Sequence, residues 1–135
     1  LFSSEVNDYL LITESDVEKR DWPKDSAAMV SCNLLDAQQK IESNGFTKVV
    51  IMVVPDKLTA YSDVISDSAL AELNFISKLA QQTSLHLIRL DSIIKQEVSN
   101  GVVDIYMPND THWSSTGYRL ASESLAEYFL QTMPE

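Results

Sequence analysis

The strongest hydrophobic signal in the chain is the run KVVIMVV at residues 48–54, with Gly45 before it and Pro55 after it. The run is rich in β-branched residues, and after its first lysine it contains no polar position. Strands that are buried on both faces have this pattern, and such strands are usually parallel and covered by helices. We therefore predict a central strand over residues 48–54.

A helix is predicted directly before this strand. Apolar residues recur there at helical spacing, and the pattern ends at Asn44-Gly45, which is a common helix stop. Cys32, the single cysteine, lies in this segment without an adjacent histidine or basic residue, so we predict a buried structural thiol rather than a nucleophile. The residues expected on the buried stripe are Val30, Leu34, Ala37 and Ile41.

Helical and strand patterns continue to alternate along the rest of the chain. This alternation predicts an α/β fold with a three-layer, doubly wound, mostly parallel sheet of the flavodoxin-like kind. The further strands expected are an edge strand at 8–13 and strands at 85–90 and 102–107. A helix is expected to begin at Ser66 or Asp67 and to carry Ala69, Leu73, Ile76 and Ala80 on one face. A short helix is expected at 92–98, and a final helix at 115–131 with Ala121, Leu125 and Phe129 facing inward.

Composition narrows the class of protein. A length of 135 residues, 44% of them hydrophobic, suits one compact domain spanning residues 1–135. Ten Lys and Arg against twenty Asp and Glu give a net charge of −10. A field of that sign repels phosphate backbones, so nucleic-acid binding is disfavoured. No apolar run approaches the roughly 20 residues of a membrane-spanning helix.

Polar residues follow three of the predicted strands, where ligands bind in sheets of this type. Asp56 and Lys57 follow the central strand, Asp91 follows the next, and Asp110 and His112 follow the last. Asp91 is expected to cap the short helix after it. Asp56-Lys57 is ordinary loop chemistry that contacts a ligand in a minority of cases. The last group is therefore the strongest candidate site.

Asp110 and His112 have the spacing of a catalytic pair. In an extended loop, residues i and i+2 project to the same side. We expect the Asp110 carboxylate to accept the Nδ1 hydrogen of His112, which leaves Nε2 facing an open cleft and able to take a proton from a hydroxyl nucleophile. Trp113 is expected to pack beneath this loop as an anchor rather than line the cleft. The alternative is that Asp-Thr-His-Trp is only the turn that starts the last helix.

Two other kinds of site are disfavoured. A metal site would need a third ligand, and the only other histidine, His86, lies inside a predicted strand. A nucleotide site would need a glycine-rich phosphate loop, whereas Gly45, Gly101 and Gly117 are isolated. We expect no metal and no cofactor.

Two segments together resemble a known family. VVIMVVPDKLTAYSD and YMPNDTHWSSTGYRLASESLA are similar to the SGNH-hydrolase-like domain of alginate O-acetyltransferases of the AlgX/AlgJ type and related polysaccharide acetylation proteins. Asp-Thr-His-Trp before the last helix is the most specific part of the resemblance. The opening Leu1-Phe2 also resembles the end of the family's first strand, which usually reads Gly-Trp-Leu-Phe. The matching positions are Pro55, Lys57, Tyr61, Asp110, Thr111, His112, Trp113 and Gly117.

The resemblance implies an SGNH-hydrolase-like domain, incomplete at both ends, that transfers acyl groups through a serine ester. His112 is then the general base and Asp110 orients it, while Lys57, Tyr61 and Trp113 are candidates for substrate contact. The implied partners are a polysaccharide substrate, an acetyl donor that is a protein or a small molecule, and other proteins of an envelope complex. Water as acceptor would give an acetylesterase, and a sugar hydroxyl an O-acetyltransferase. The implied location is the periplasm or the cell envelope.

The nucleophile has no match in the chain. In the family, a serine usually follows the Asp-x-His motif in a Gly-x-Ser turn after another buried strand, and no such turn occurs here. The serines of interest are better explained as loop or capping residues; these are Ser3, Ser4, Ser62, Ser114 and Ser115. Either the nucleophile lies outside these 135 residues, or the protein has lost catalysis.

A protein without catalysis would be a carbohydrate-binding or scaffolding module of an envelope complex. Trp113, Tyr61 and Tyr106 could then offer aromatic faces to sugar rings, although core packing explains each of them at least as often.

Overall fold

A computed structural model describes residues 1–4 and 9–132 of the chain. The strands are β1 (Ile51–Met52) and β2 (Leu87–Ile88). The helices are α1 (Glu14–Glu18), α2 (Ser26–Glu42), α3 (Lys57–Ala60), α4 (Ser68–Ala71), α5 (Phe75–Leu79), α6 (Leu90–Ser99) and α7 (Ser115–Thr132), with 3-10 helices at Lys19–Asp21 and Ser62–Val64. Within the described ranges, no helix is long and apolar enough to cross a membrane.

The two strands pair in parallel, as predicted for a helix-linked sheet. Ile51 lies opposite Leu87 and Met52 opposite Ile88. Only two residues of each predicted strand are paired, because β2 does not extend in either direction. At its start, the Leu87 N–H donates to the carbonyl of Leu85 at 2.9 Å, and beyond its end α6 begins at Leu90. The central run at 48–54 is therefore longer than the strand that pairs with it.

The segment at 102–107 is not a strand, so that prediction was wrong. Its one strand-like contact is an antiparallel bridge between Tyr106 and Trp113. Asp104 breaks the extended backbone with φ +56°, and its carboxylate accepts the Ser3 N–H at 2.8 Å. In this segment, a hydrogen bond to the start of the chain thus takes the place of pairing with a second strand.

The edge strand predicted at 8–13 is also absent from residues 9–13. Residue 8 lies outside the described residues, and residues 9–13 form no strand. The Thr13 N–H instead donates to the Asp16 carboxylate at 3.2 Å, which starts α1.

α2 ends before Gly45, as predicted, but its buried face is not the apolar stripe. Its buried residues are Ala27, Ser31 and Gln38, whereas Val30 and Ile41 are exposed. The Gln38 amide explains why α2 buries this face instead of the apolar stripe, because it donates to the carbonyl of Ser84 at 3.1 Å and accepts the His86 N–H at 3.0 Å. Cys32 is consequently exposed, and its predicted burial was wrong.

The helix predicted from Ser66 or Asp67 onward is interrupted. Asp67 caps α4 by accepting the Ala69 N–H at 3.0 Å. Asn74 then caps a new helix, α5, by accepting the Ser77 N–H at 3.0 Å. A second side-chain cap inside the apolar pattern divides it into two short helices.

α7 has the predicted start and length, and it closes the core above the last loop. Its buried residues are Gly117, Leu120, Ala121 and Ser124, while Phe129, predicted to face inward, is 39% exposed. The core cluster joins α3, α6 and α7 through Ala60, Tyr61, Leu90, Ile94, Ile105, Tyr106, Leu120 and Ala121. Along the chain, Asp110 and His112 lie between Tyr106 and Leu120 of this cluster.

Asp91 does not cap α6, contrary to the sequence prediction. The cap position is Arg89, and the Asp91 side chain is buried within the first turn. Arg89 donates to both carboxylate oxygens at 2.8 and 2.9 Å, and the Asn74 amide donates at 2.9 Å. Burial raises the pKa of Asp91, but these hydrogen bonds outweigh it and hold the pKa below its usual value.

Replacing Asp91 with Asn is expected to lower the free energy of unfolding at pH 7 by about 2–3 kcal/mol, since the partly exposed Arg89 can rehydrate and spare some of the cost of a broken buried pair. A carboxyl with a lowered folded pKa stabilises above its unfolded pKa, about 4, and loses that contribution as the pH falls through the folded pKa. The difference between variant and wild type should therefore shrink on acidification. Urea unfolding at pH 7 and pH 3 measures both effects.

The control for this substitution is Asp63→Asn. The Asp63 carboxylate is 68% exposed and lies 3.5 Å from Lys95 Nζ, so a change below about 0.5 kcal/mol is expected. Equal stabilities for the two variants at pH 7 would contradict the structural importance of Asp91.

Candidate active site

The chain folds back on itself between the core and α7. The bridge between Tyr106 and Trp113 closes this turn, and the Met107 N–H donates to the carbonyl of His112 at 3.1 Å. Residues 107–113 form a tight loop, which we call the His loop. A short antiparallel closure of this kind sends the residues at its tip away from the core.

Asp110 and His112 lie at that tip and are in direct contact. Asp110 Oδ1 lies 2.6 Å from His112 Nδ1, and the same oxygen accepts the His112 N–H at 3.1 Å. A carboxylate only accepts, so Nδ1 carries the hydrogen. The side-chain bond from His112 is the main reason that the pKa of Asp110 lies below its usual value. The predicted contact is confirmed, and its catalytic use stays a prediction.

The other ring nitrogen of His112 is accessible. The imidazole is 73% exposed, and Nε2 has no hydrogen-bond partner among residues 1–4 and 9–132. Beside it lies an open cleft of about 290 Å³ at the carboxyl end of β1. The cleft is lined by Val54, Pro55, Asp56, Tyr106, Thr111, His112 and Trp113. A group bound there could exchange a proton with Nε2.

The Asp56 carboxylate lines the cleft but is already engaged. One oxygen caps α3 by accepting the Thr59 N–H at 2.8 Å. The other oxygen forms an ion pair with Lys19, whose side chain is 8% exposed. Sequence reasoning missed Lys19, because a lysine in a charged connection carries no signal of a long-range partner.

Lys57 and Tyr61 are brought close to the His loop but do not line the cleft. They are 2% and 1% exposed. Lys57 Nζ donates to the carbonyls of Met107 at 2.5 Å and Pro108 at 3.1 Å. Burial lowers the pKa of Lys57. Contact of either side chain with a substrate stays a prediction.

Trp113 has two environments. Its ring lies 4.9 Å from the ring of Tyr118 and packs against the core. It also lines the cleft. The expectation that Trp113 would pack beneath the loop rather than line the cleft was therefore wrong about the cleft. Tyr106, another candidate aromatic, is 1% exposed and donates its hydroxyl hydrogen to the carbonyl of Pro55.

His86 lies at the opposite end of β1 from the cleft. Its Nδ1 is 3.0 Å from the carbonyl of Val49 and 3.2 Å from Glu42 Oε1. In the described part of the chain, no group of three or more His, Cys, Asp or Glu side chains could hold a metal ion.

Comparison with known proteins places the chain in a family. The model of the ALGX family, described as "SGNH hydrolase-like domain, acetyltransferase AlgX", matches residues 6–135. The chain therefore belongs to this family. Neither the curated proteins nor the solved structures gave a match.

Proposed function

We propose that this member of the AlgX family supplies the histidine and the orienting aspartate of a Ser-His-Asp site that transfers acetyl groups to or from a polysaccharide of the cell envelope or of the secreted matrix. The observation that supports it most is the contact between Asp110 and His112, with Nε2 exposed beside a cleft. The proposed setting is the periplasm or cell envelope, and the proposed partners are the polysaccharide, an acetyl donor and other envelope proteins.

The chemistry proceeds in two halves. A serine hydroxyl attacks the acetyl carbonyl while its proton passes to His112 Nε2, and Asp110 stabilises the imidazolium that forms. The tetrahedral intermediate collapses to an acetyl-serine ester, and the leaving alcohol takes the proton back from His112. A sugar hydroxyl then attacks the ester in the same manner, which gives an O-acetylated sugar; water in its place gives acetate.

The serine is proposed to lie outside the 135 residues. The Ser114 hydroxyl donates to the carbonyl of Asp104 and accepts the Thr116 N–H at 3.0 Å, and Ser62 is 3% exposed. Neither is available to Nε2 of His112. We further propose that residues 1–135 form part of a single three-layer, doubly wound domain, and that Trp113 contacts the sugar across the cleft.

Asp110→Asn is the direct test of this function. In a polypeptide that carries the chain together with the serine, we expect the rate of acetyl transfer to fall by about 10³–10⁴-fold, because an amide can favour the wrong imidazole tautomer. Hydrolysis of p-nitrophenyl acetate and transfer to an oligosaccharide both measure it. The 135-residue chain alone should be inactive. As a control, Asp36→Asn on the exposed side of α2 should keep wild-type rates.

One observation favours a second candidate, a carbohydrate-binding module. Trp113 lines the cleft, and none of the described residues offers a hydroxyl to Nε2 of His112. Titration with acetylated and unacetylated oligosaccharides separates the two functions. Binding that survives His112→Ala, with no ester hydrolysis by the serine-containing polypeptide, would favour the module and overturn acyl transfer.

A further inference from the structure

One face of α3 is turned toward the His loop. Lys57 and Tyr61 are four residues apart, so about one helical turn separates them and both side chains project to the same side. Tyr61 Oη accepts the Tyr106 N–H at 3.2 Å. Lys57 Nζ donates to the next two residues of the chain, at the carbonyls of Met107 and Pro108. Three consecutive residues are thus bonded to one helical turn.

Lys57 is 2% exposed, and the charges of Asp110 and Asp16 oppose the lowering of its pKa by burial. A buried charge is costly unless hydrogen bonds replace its water shell. The two carbonyls provide that replacement, and the Phe2 ring, with its centroid 5.6 Å from Nζ, adds a favourable aromatic face. The two bonds of this charged side chain are made to Met107 and Pro108, three and two residues before Asp110.

The catalytic pair needs such support because it is exposed. The side chains of His112 and Asp110 are 73% and 49% exposed, and a hydrogen bond between two exposed side chains is weak by itself, since water competes for both groups and side-chain entropy opposes it. A site residue holds its geometry only if the groups behind it are fixed. On the buried side of the His loop, Lys57 and Tyr61 are those groups.

We propose that Lys57 and Tyr61 are positioning residues that hold the His loop in the conformation in which Asp110 meets His112, rather than substrate-binding residues. This inference rests on the function proposed above, because a held loop conformation matters for acetyl transfer only if Asp110 and His112 are catalytic. The effect of Lys57 and Tyr61 on the loop conformation can be tested without measuring catalysis. Lys57 fixes the carbonyls that precede Asp110, and Tyr61 fixes the start of the loop. The substrate then contacts the other side of the loop, at the cleft.

The test uses NMR on the 135-residue chain and three variants. Lys57→Met removes the ammonium and keeps most of the packing volume, Tyr61→Phe removes only the hydroxyl, and Lys19→Met is the matched control. The Lys19 side chain is also largely enclosed, at 8% exposure, and it also contacts α3, through Asp56 and Thr59, but it makes no bond to the His loop. The first readout is hydrogen exchange of the Met107 and His112 amides, which are bonded to His112 O and Asp110 Oδ1.

We expect exchange at these two amides to speed up on the order of tenfold or more in Lys57→Met, and several-fold in Tyr61→Phe, since bonds to charged groups are the stronger ones. Lys19→Met should leave both amides at wild-type rates. The second readout is the pKa of Asp110, which His112 holds low and which should rise toward its usual value when the pair loosens. Tyr61→Phe is the decisive variant for the pKa measurement. It changes no charge, so it does not alter the pKa of Asp110 through the loss of a nearby ammonium.

Wild-type exchange and a wild-type Asp110 pKa in both loop variants would overturn the proposal. So would equal effects in Lys19→Met and Lys57→Met, which would show a general loss of stability. If Lys57→Met does not fold, Tyr61→Phe alone tests the positioning role by the same two readouts. Loss of acetyl transfer cannot produce these outcomes, so failure of the proposed function and failure of the positioning role remain distinguishable.

Discussion

Replacing His112 with alanine is expected to abolish acyl transfer in the polypeptide that contains the serine, with a rate loss of about 10⁴-fold or more. The reason is that Nε2 of His112 is the only proposed acceptor for the serine proton, and no other imidazole lies at the cleft. The ring is 73% exposed, so the free energy of unfolding should change by less than about 0.5 kcal/mol. Hydrolysis of p-nitrophenyl acetate and urea unfolding measure the two quantities.

His86→Ala is the matched control for this substitution. It removes the other imidazole of the chain, whose Nδ1 contacts the carbonyl of Val49 and the carboxylate of Glu42. We expect this variant to lose stability but to keep the wild-type rate per folded molecule. Added imidazole should restore part of the activity of His112→Ala, because the vacated position opens to solvent. A His112→Ala protein that keeps a tenth of the wild-type rate would contradict the assignment of the base.

The contact between Asp110 and His112 could be predicted from the sequence because it is local. Two residues in an extended loop reach each other through their own backbone, and no distant part of the chain has to be known. The cap at Asp67 and the end of α2 before Gly45 were predictable for the same reason. The family resemblance added the chemical role that two adjacent side chains cannot specify alone.

The support of the site could not be predicted because it is long-range. Lys57 reaches carbonyls 50 and 51 residues away, and nothing in the sequence around it distinguishes an anchor from a ligand contact. Gln38 likewise turns inward to meet the backbone of Ser84 and His86, against the apolar pattern of its own helix. The apolar run at 48–54 was predicted to be buried on both faces, but none of its residues is fully buried and Val54 is 46% exposed. The length of strand that pairs depends on its neighbour β2.

Gly117 shows how closely α7 approaches the His loop. A Cβ placed there would lie 2.6 Å from the carbonyl oxygen of Ile105 and 2.7 Å from Trp113 Cβ. Neither atom is the end of a flexible side chain, so the backbone itself would have to move. The same Ile105 oxygen accepts the Ser114 N–H at 2.9 Å, which joins the end of the His loop to the start of α7.

Gly117→Ala is therefore expected to destabilise the protein by about 2 kcal/mol, because an overpacking cost of about 3 kcal/mol exceeds the roughly 1 kcal/mol gained in helix propensity. Urea unfolding measures this loss, and the acetyl-transfer rate should fall as well, since Trp113 and the adjacent His112 are displaced. Gly45→Ala is the control: nothing lies within 4 Å of its Cβ, and its φ is +76°, so about 1 kcal/mol of backbone strain is expected without a change in rate. A Gly117→Ala protein at least as stable as wild type would mean that α7 and the His loop are not in the close contact described, and that helix propensity alone decides at this position.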